Sequence, residues 1–409
     1  MTKMVKAVKS QFGGRCGTGL RGSASPRRRR GIGAGPSAKI PAVPAHDLGT
    51  SPGGRRPPGH GIPMKIAVDA MGGDHAPRAA VAGAHRAAAG DGVEVLLVGD
   101  RGRMAGELER LGGRPPGLEL VHADEVVEMD DPAVAPLRRK RRSSLRLCAE
   151  LVKDGHAQAM VTCGNTGAAM SVAKVVIGTI AGVDRPALTA VIPSPSAAGR
   201  AVILDVGANV DARPELLRQF AVMGHFYAQE VLGTRKPRIG LLSVGEEEGK
   251  GSGQTREVHR VLKTAGLHFV GNVEGQDVFN GSVDVVVCDG FVGNIVLKSA
   301  EALAFWLGRM LREELSRSTR TRLGYLLAKP AFDNLRRRTD YREYGAAPLL
   351  GVEGGCFIGH GRSNARAVRN SILRAVEFVA ADLHHKIRDK VAELHSQEER
   401  LLGIQRSAV

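Results

Sequence analysis

From Met64 onward, short apolar runs alternate with longer stretches in which apolar side chains recur every three or four positions. The runs predict strands at 64–69, 93–98, 118–121, 157–162, 186–192, 201–204, 238–242, 267–270, 283–287 and 356–358. The longer stretches predict helices from about Pro77, at 143–152, 166–180, 214–232 and 254–265, and from 292 toward 315. A last helix, at 364–394, follows an irregular basic stretch. Alternation of this kind is the pattern of a layered α/β sheet.

The candidate chemistry sits where strands stop. The first strand runs into Asp69-Ala70-Met71-Gly72-Gly73-Asp74-His75-Ala76-Pro77, a glycine-paired acidic loop before a proline-opened helix. Glycine lets backbone approach an anion, and a helix start offers unpaired N–H groups. Three more strand ends repeat the theme: Gly164-Asn165-Thr166-Gly167, Asp205-Val206-Gly207-Ala208-Asn209 and Asp289-Gly290-Phe291-Val292-Gly293-Asn294. In an open parallel sheet such ends converge on one crevice, so the pattern predicts a single polar site. The same residues also have a plain architectural reading. Asp69, Asp205 and Asp289 are placed to cap a following helix, and Asn165 and Asn209 are good turn formers.

The strings MKIAVDAMGGDHAP, CGNTGAAM, GVDRPAL, LDVGANVDARPE, GLLSVGEEEGKG, FVGNVEGQD, CDGFVGNIVLKS and YGAAPLLG stand in this order. In them, from Met64 to about Ala392, the chain resembles the phosphate acyltransferase (PlsX) family of bacterial phospholipid synthesis. The resemblance implies a three-layer sandwich on a mainly parallel sheet, like isocitrate and isopropylmalate dehydrogenases, with a protruding helical hairpin at 306–338. It further implies a homodimer that moves a long acyl chain from acyl carrier protein to inorganic phosphate, without a cofactor or metal. The product, acyl phosphate, would pass to the membrane glycerol-3-phosphate acyltransferase for phosphatidic acid synthesis.

Phosphate is already an oxygen nucleophile near neutral pH. The site therefore has to hold two anionic partners in line, stabilise a tetrahedral oxyanion and exclude water. Gly72, Gly73, Asn165 and Thr166 are the expected phosphate cradle, with Asp69, Asp74, Asp205, Asn209, Asp289 and Gly290 lining the crevice. Lys298, His75, Arg185 and His360 are the candidate cations, and the Asn165 and Asn294 carboxamides the candidate oxyanion donors. Asn165, Lys298 and His360 form the expected catalytic set, although Lys298 also reads as a surface charge and His75 as a structural residue. Cys163 is not expected to be a nucleophile, because free cysteines are usually small buried hydrophobes. The run Glu246-Glu247-Glu248 lacks histidine partners or spaced carboxylates and is expected to be solvated.

At 409 residues the chain can hold two ordinary domains or one large α/β domain. Its five cysteines are scattered without a Cys-x-x-Cys pair, which indicates neither a disulfide framework nor a zinc site. No uninterrupted apolar run reaches the roughly 18 residues needed to span a bilayer, and no apolar signal segment precedes the core, so a cytoplasmic enzyme is expected. The net charge of +16 is uneven: residues 1–63 hold four Lys and eight Arg against Asp47, a net of +11, leaving +5 for the rest. This Gly-Pro-Arg-rich segment has little to bury and is expected to be a disordered extension. It reads either as an artefact of an upstream start, with Met64 the initiator, or as a nucleic-acid-binding tail. The catalytic domain is expected at 64–398 and a short tail at 399–409.

Two surface features suggest partners. Arg138, Arg139, Lys140, Arg141 and Arg142 would steer an acidic carrier protein, or are simply a solvated helix start. In the hairpin, Tyr325, Leu326, Leu327 and Phe332 are flanked by arginines, which suits peripheral contact with the inner membrane face. Dimer packing of the same helices is the rival reading. Other functional readings are a phosphate acetyltransferase using coenzyme A and a non-catalytic basic scaffold on nucleic acid. A nicotinamide dehydrogenase is disfavoured, since no Gly-x-Gly-x-x-Gly follows the first strand.

Overall fold

Alternate residues of the central strands face opposite apolar layers. Ile66 and Val68 pack with Val81 and Ala84 of the helix Arg78–Asp91, whereas the intervening Ala67 packs with Leu145 and Ala149 of the helix Ser144–Lys153. The strands are therefore buried on both faces, as expected where helices cover a parallel sheet. The computed structural model describes residues 64–339 and 345–401. Residues 1–63, on which the expected extension falls, lie outside the described residues, as does most of the expected tail; the last helix, Leu383–Leu401, runs past residue 398.

One sheet contains β1 (Lys65–Asp69), β2 (Glu94–Gly99), β3 (Leu118–His122), β4 (Ala159–Thr162), β5 (Ala187–Pro193), β6 (Arg200–Leu204), β7 (Ile239–Leu242), β8 (Phe269–Val273), β9 (Val285–Val287), β10 (Ala347–Leu350) and β11 (Gly355–Ile358). Their order is β3-β2-β1-β4-β11-β10-β5-β6-β9-β7-β8. From β3 to β11 neighbours are parallel, and from β6 to β8 they are parallel again. Three antiparallel steps through β10 and β5 separate these blocks, which consequently run in opposite directions. The layered, mainly parallel α/β architecture is as expected; the reversal between blocks was not.

Several boundaries differ from the sequence pattern for local reasons. The stretch 166–180 is an α-helix, Thr166–Val172, that widens into a π-turn, Ala173–Ile177, and stops at Gly178. The stretch 214–232 does the same, with Pro214–Phe226 followed by the π-turn Tyr227–Val231. The closing stretch is two helices, Ala365–Ala380 and Leu383–Leu401, broken where Asp382 adopts a left-handed φ of 48°. The irregular basic stretch contains a helix, Thr319–Thr339, which with Gly290–Leu315 forms the expected hairpin. From residue 301 to 331 almost every hairpin residue is exposed. Gly290–Leu315 is long and apolar enough to cross a membrane by length and composition, although charged residues such as Lys298, Glu301 and Arg309 interrupt its apolar runs.

Candidate active site

Because the two blocks point in opposite directions, the four glycine-bearing loops form two clusters rather than one. In the first, Asp69 lies at the end of β1 with its carboxylate fully enclosed. Ser144 Oγ and Thr162 Oγ1 donate to it at 2.7 and 2.8 Å, and the Met71 N–H at 3.1 Å. Burial pushes its pKa up, against the pull of these donors. The loop can close this tightly only because Gly72 has no side chain. A Cβ there would lie 2.6 Å from Asp69 Oδ2 and 2.8 Å from the Gly164 nitrogen.

In the second cluster, Asp205 collects the N–H groups of Leu188, Gly207, Ala208 and Asn209 at 2.6–3.1 Å, together with Asn209 Nδ2 at 2.9 Å. Desolvation raises its pKa as well. Asn209 also donates to the Pro186 carbonyl at 2.8 Å, so it is spent on the loop. Asp289 caps the helix Gly290–Leu315, accepting from the Phe291 and Val292 N–H groups at 2.8 and 3.0 Å. Gly293 allows that helix to lie on the Asp205 backbone, where a Cβ would overlap the carbonyl oxygen. The three aspartates thus hold loops and helix starts.

A cavity of about 480 Å³ opens between the clusters, within the usual range for small-molecule sites. Thr166, Gly359 and His360 line it from the first block, and Gly207, Gly290, Asn294 and Lys298 from the second. Lys298 pairs with Glu301, also on the cavity wall, at 2.9 Å. His360 is exposed, and its Nδ1 accepts from the Arg362 N–H at 3.2 Å. Cationic, amide and hydroxyl groups from both blocks therefore face one space.

Other expected residues lie elsewhere. Asn165 spends both ends of its carboxamide internally: Oδ1 accepts from the Ala168 N–H at 3.0 Å, while Nδ2 donates to the Met129 and Asp131 carbonyls at 3.0 and 2.8 Å. It caps its helix and ties down the loop before Ala135–Arg138. His75 lines a second cavity with Arg78, Arg86 and Arg110. Asp74 donates its N–H to the Gly361 carbonyl at 2.9 Å, and Arg185 is exposed before β5, outside the first cavity's lining. Cys163 is enclosed behind Gly359, and burial pushes its thiol up to about 11. Such a thiol is not an activated nucleophile.

The basic run is divided. Arg138 and Arg139 are exposed, but Lys140 Nζ donates to the Val126 carbonyl and pairs with Asp131. Arg141 donates to the Leu137 carbonyl at 3.3 Å and Arg142 pairs with Asp124. Several wall residues escaped the sequence reading, among them Arg200, Glu301, Arg374 and Thr189. Thr189 lies on the cavity wall, fully buried, and its hydroxyl has no hydrogen-bond partner among the described residues. The signal was present as a lone polar residue in Ala187-Leu188-Thr189-Ala190-Val191.

Residues 64–386 match a family described as "Fatty acid synthesis protein". The chain is 46% identical over 345 residues to the phosphate acyltransferase of Geotalea uraniireducens, covering 84% of this chain and 99% of that protein. It is 49% identical over 334 residues to that of Pelotomaculum thermopropionicum, covering 81% and 96%. Among solved structures, a phosphotransacetylase from Streptococcus pyogenes is similar in fold, with a TM-score of 0.53 at 18% identity over 77% of this chain and 94% of that one. A EutD phosphotransacetylase from Staphylococcus aureus gives 0.50 at 16% identity, over 78% and 94%.

Proposed function

The chain belongs to the phosphate acyltransferase family, and on that premise we propose that it moves a long-chain acyl group from acyl carrier protein to inorganic phosphate in the cavity between the two strand blocks. The observation that carries this reading is the convergence of Thr166, Gly359 and His360 with Asn294 and Lys298 on one space. A phosphate oxygen attacks the thioester carbonyl and forms the C–O bond. The tetrahedral oxyanion collapses, the C–S bond breaks, and the carrier thiolate leaves and takes up a proton.

The residues divide these tasks by chemistry. Lys298 offsets phosphate charge, exchanging its contact with Glu301 for the substrate. Asn294 is the side-chain amide on the cavity suited to the oxyanion, since the Asn165 carboxamide is spent on the loop before Ala135–Arg138. His360 stands at the end of β11 as the donor to the leaving sulfur. Arg138 and Arg139, at the end of the short helix that follows the loop tied down by Asn165, meet the acidic carrier protein.

The same reading makes the protein a cytoplasmic homodimer that touches the inner membrane face through Tyr325, Leu326, Leu327 and Phe332. Leu326 and Leu327 are 64% and 79% exposed, which supports an apolar contact at this hairpin. A labile acyl phosphate is best released beside the membrane enzyme that consumes it. Incubating the full chain with palmitoyl carrier protein and phosphate should give acyl phosphate, trapped as hydroxamate by hydroxylamine. Palmitoyl-CoA outperforming the carrier thioester would favour the acetyltransferase-like alternative, and no thioester consumption would sink the assignment.

A further inference from the structure

The two halves of the sheet are barely joined. β10 and β5 pair only through Leu349 with Leu188 and Leu350 with Ala187. Beyond that, their next residues line the cavity: Ala347 and Pro348 on one strand, Thr189, Ala190 and Val191 on the other. The wall also draws on both apolar layers. Leu188, Ala190 and Ile358 belong to the layer that includes Leu145 and Ile203, whereas Tyr227 and Ala346 belong to the layer of Phe220 and Phe378. A cavity bounded by both layers passes through the sheet.

We propose that this passage holds the hydrocarbon chain of the acyl substrate, with its carbonyl beside Asn294, Lys298 and His360 and its methyl end on the opposite face, against Val191, Tyr227, Val231 and Leu232. The proposal rests on the acyl-transfer reading and adds the path of the chain. Thr166, His360, Asn294, Lys298 and Glu301 make one part of the wall polar, while β5, apart from Thr189, and the turn Tyr227–Val231 supply a largely aliphatic surface. That turn is a π-turn, a local widening that recurs at functional sites and here sets both Tyr227 and Val231 on the wall. Tyr227 is buried within its apolar layer, which pushes its phenol up to about 12. Arg374, paired with Glu377, and Arg200 lie near Tyr227, and their aliphatic stems continue the surface. Each methylene removed from water there is worth about a fourfold gain in binding, so the passage would select for long chains.

The test is the ratio of kcat/KM for palmitoyl over octanoyl carrier protein in the full-length enzyme. Narrowing the far side with Val231→Trp or Leu232→Trp should lower that ratio about tenfold or more, the scale on which apolar pockets discriminate chain size. Val231→Ala, which removes bulk and needs no repacking, should raise the ratio of stearoyl to palmitoyl. Ratios within twofold of wild type in all three variants would overturn the passage, as would an equal loss at every chain length. Relief of that equal loss by raised phosphate would instead mark this face as an anion site near Arg200 and Arg374, and likewise overturn the proposal. Failure of the wild-type enzyme on every carrier thioester would fall on the acyl-transfer reading instead.

Discussion

Thr162 Oγ1 donates to Asp69 Oδ2 at 2.8 Å, joining the ends of the neighbouring strands β1 and β4 beneath the first glycine cluster. With Ser144 and the Met71 N–H on the same carboxylate, Asp69 is a hub between three segments. Removing it leaves several buried polar groups unpaired, each costing about 1–3 kcal/mol.

Asp69→Ala should therefore destabilise the fold by about 3 kcal/mol or more, measured by urea unfolding. The pH dependence has a definite sign. Burial raises the folded-state pKa of Asp69 above its ordinary value, so the stability it contributes is full below the unfolded pKa near 3.8 and declines as pH rises through the folded value. Stability of wild type relative to Asp69→Asn should fall as pH is raised from about 4 toward neutrality. A flat or rising difference would contradict the burial argument.

Cys163 should be chemically silent. Its raised thiol pKa and its position behind Gly359 predict slow alkylation in the native enzyme, fast alkylation after denaturation, and near-wild-type turnover in Cys163→Ala. An inactive but folded alanine variant would revive a thiol mechanism.

The basic run should separate into two classes. Arg138→Glu with Arg139→Glu should raise KM for acyl carrier protein, weaken its salt dependence and leave the melting temperature unchanged. Lys140→Ala should instead lower the melting temperature, because it frees the Val126 carbonyl and Asp131. Equal effects of both substitutions on KM and stability would show that the run acts as one patch.

Replacing Leu326 and Leu327 with Glu distinguishes membrane contact from dimer packing. Membrane contact predicts an active dimer that no longer co-sediments with anionic liposomes. Dissociation to monomers, or liposome binding like that of wild type, would exclude this hairpin as the membrane contact.

Much of this architecture was legible because local chemistry and long-range packing agree. β1, β5, β6 and the helix Ser144–Lys153 appear close to where the apolar period places them. Two things were hidden. β10, with Ala347-Pro348-Leu349-Leu350, is too short and too proline-marked to read as a strand, and the antiparallel pairing of β5 with β6, which reverses the second block, cannot be read from apolar runs that carry no direction. Because of that reversal the four similar loops form two clusters, which stand on either side of one cavity. The aspartates and Asn165 were also ambiguous, since a capping carboxylate and a ligand-binding one carry the same sequence signature. Their hydrogen-bond partners, Ser144, Leu188 and Met129 among them, are distant in sequence and appear only in the fold.

The most direct measurement is steady-state kinetics in phosphate for Lys298→Ala, with palmitoyl carrier protein held saturating. If phosphate is bound between the strand blocks, kcat/KM for phosphate should fall by the equivalent of about 1–3 kcal/mol, while KM for the carrier and the melting temperature stay near wild type. Phosphate kinetics indistinguishable from wild type would contradict the placement of acyl transfer in this cavity.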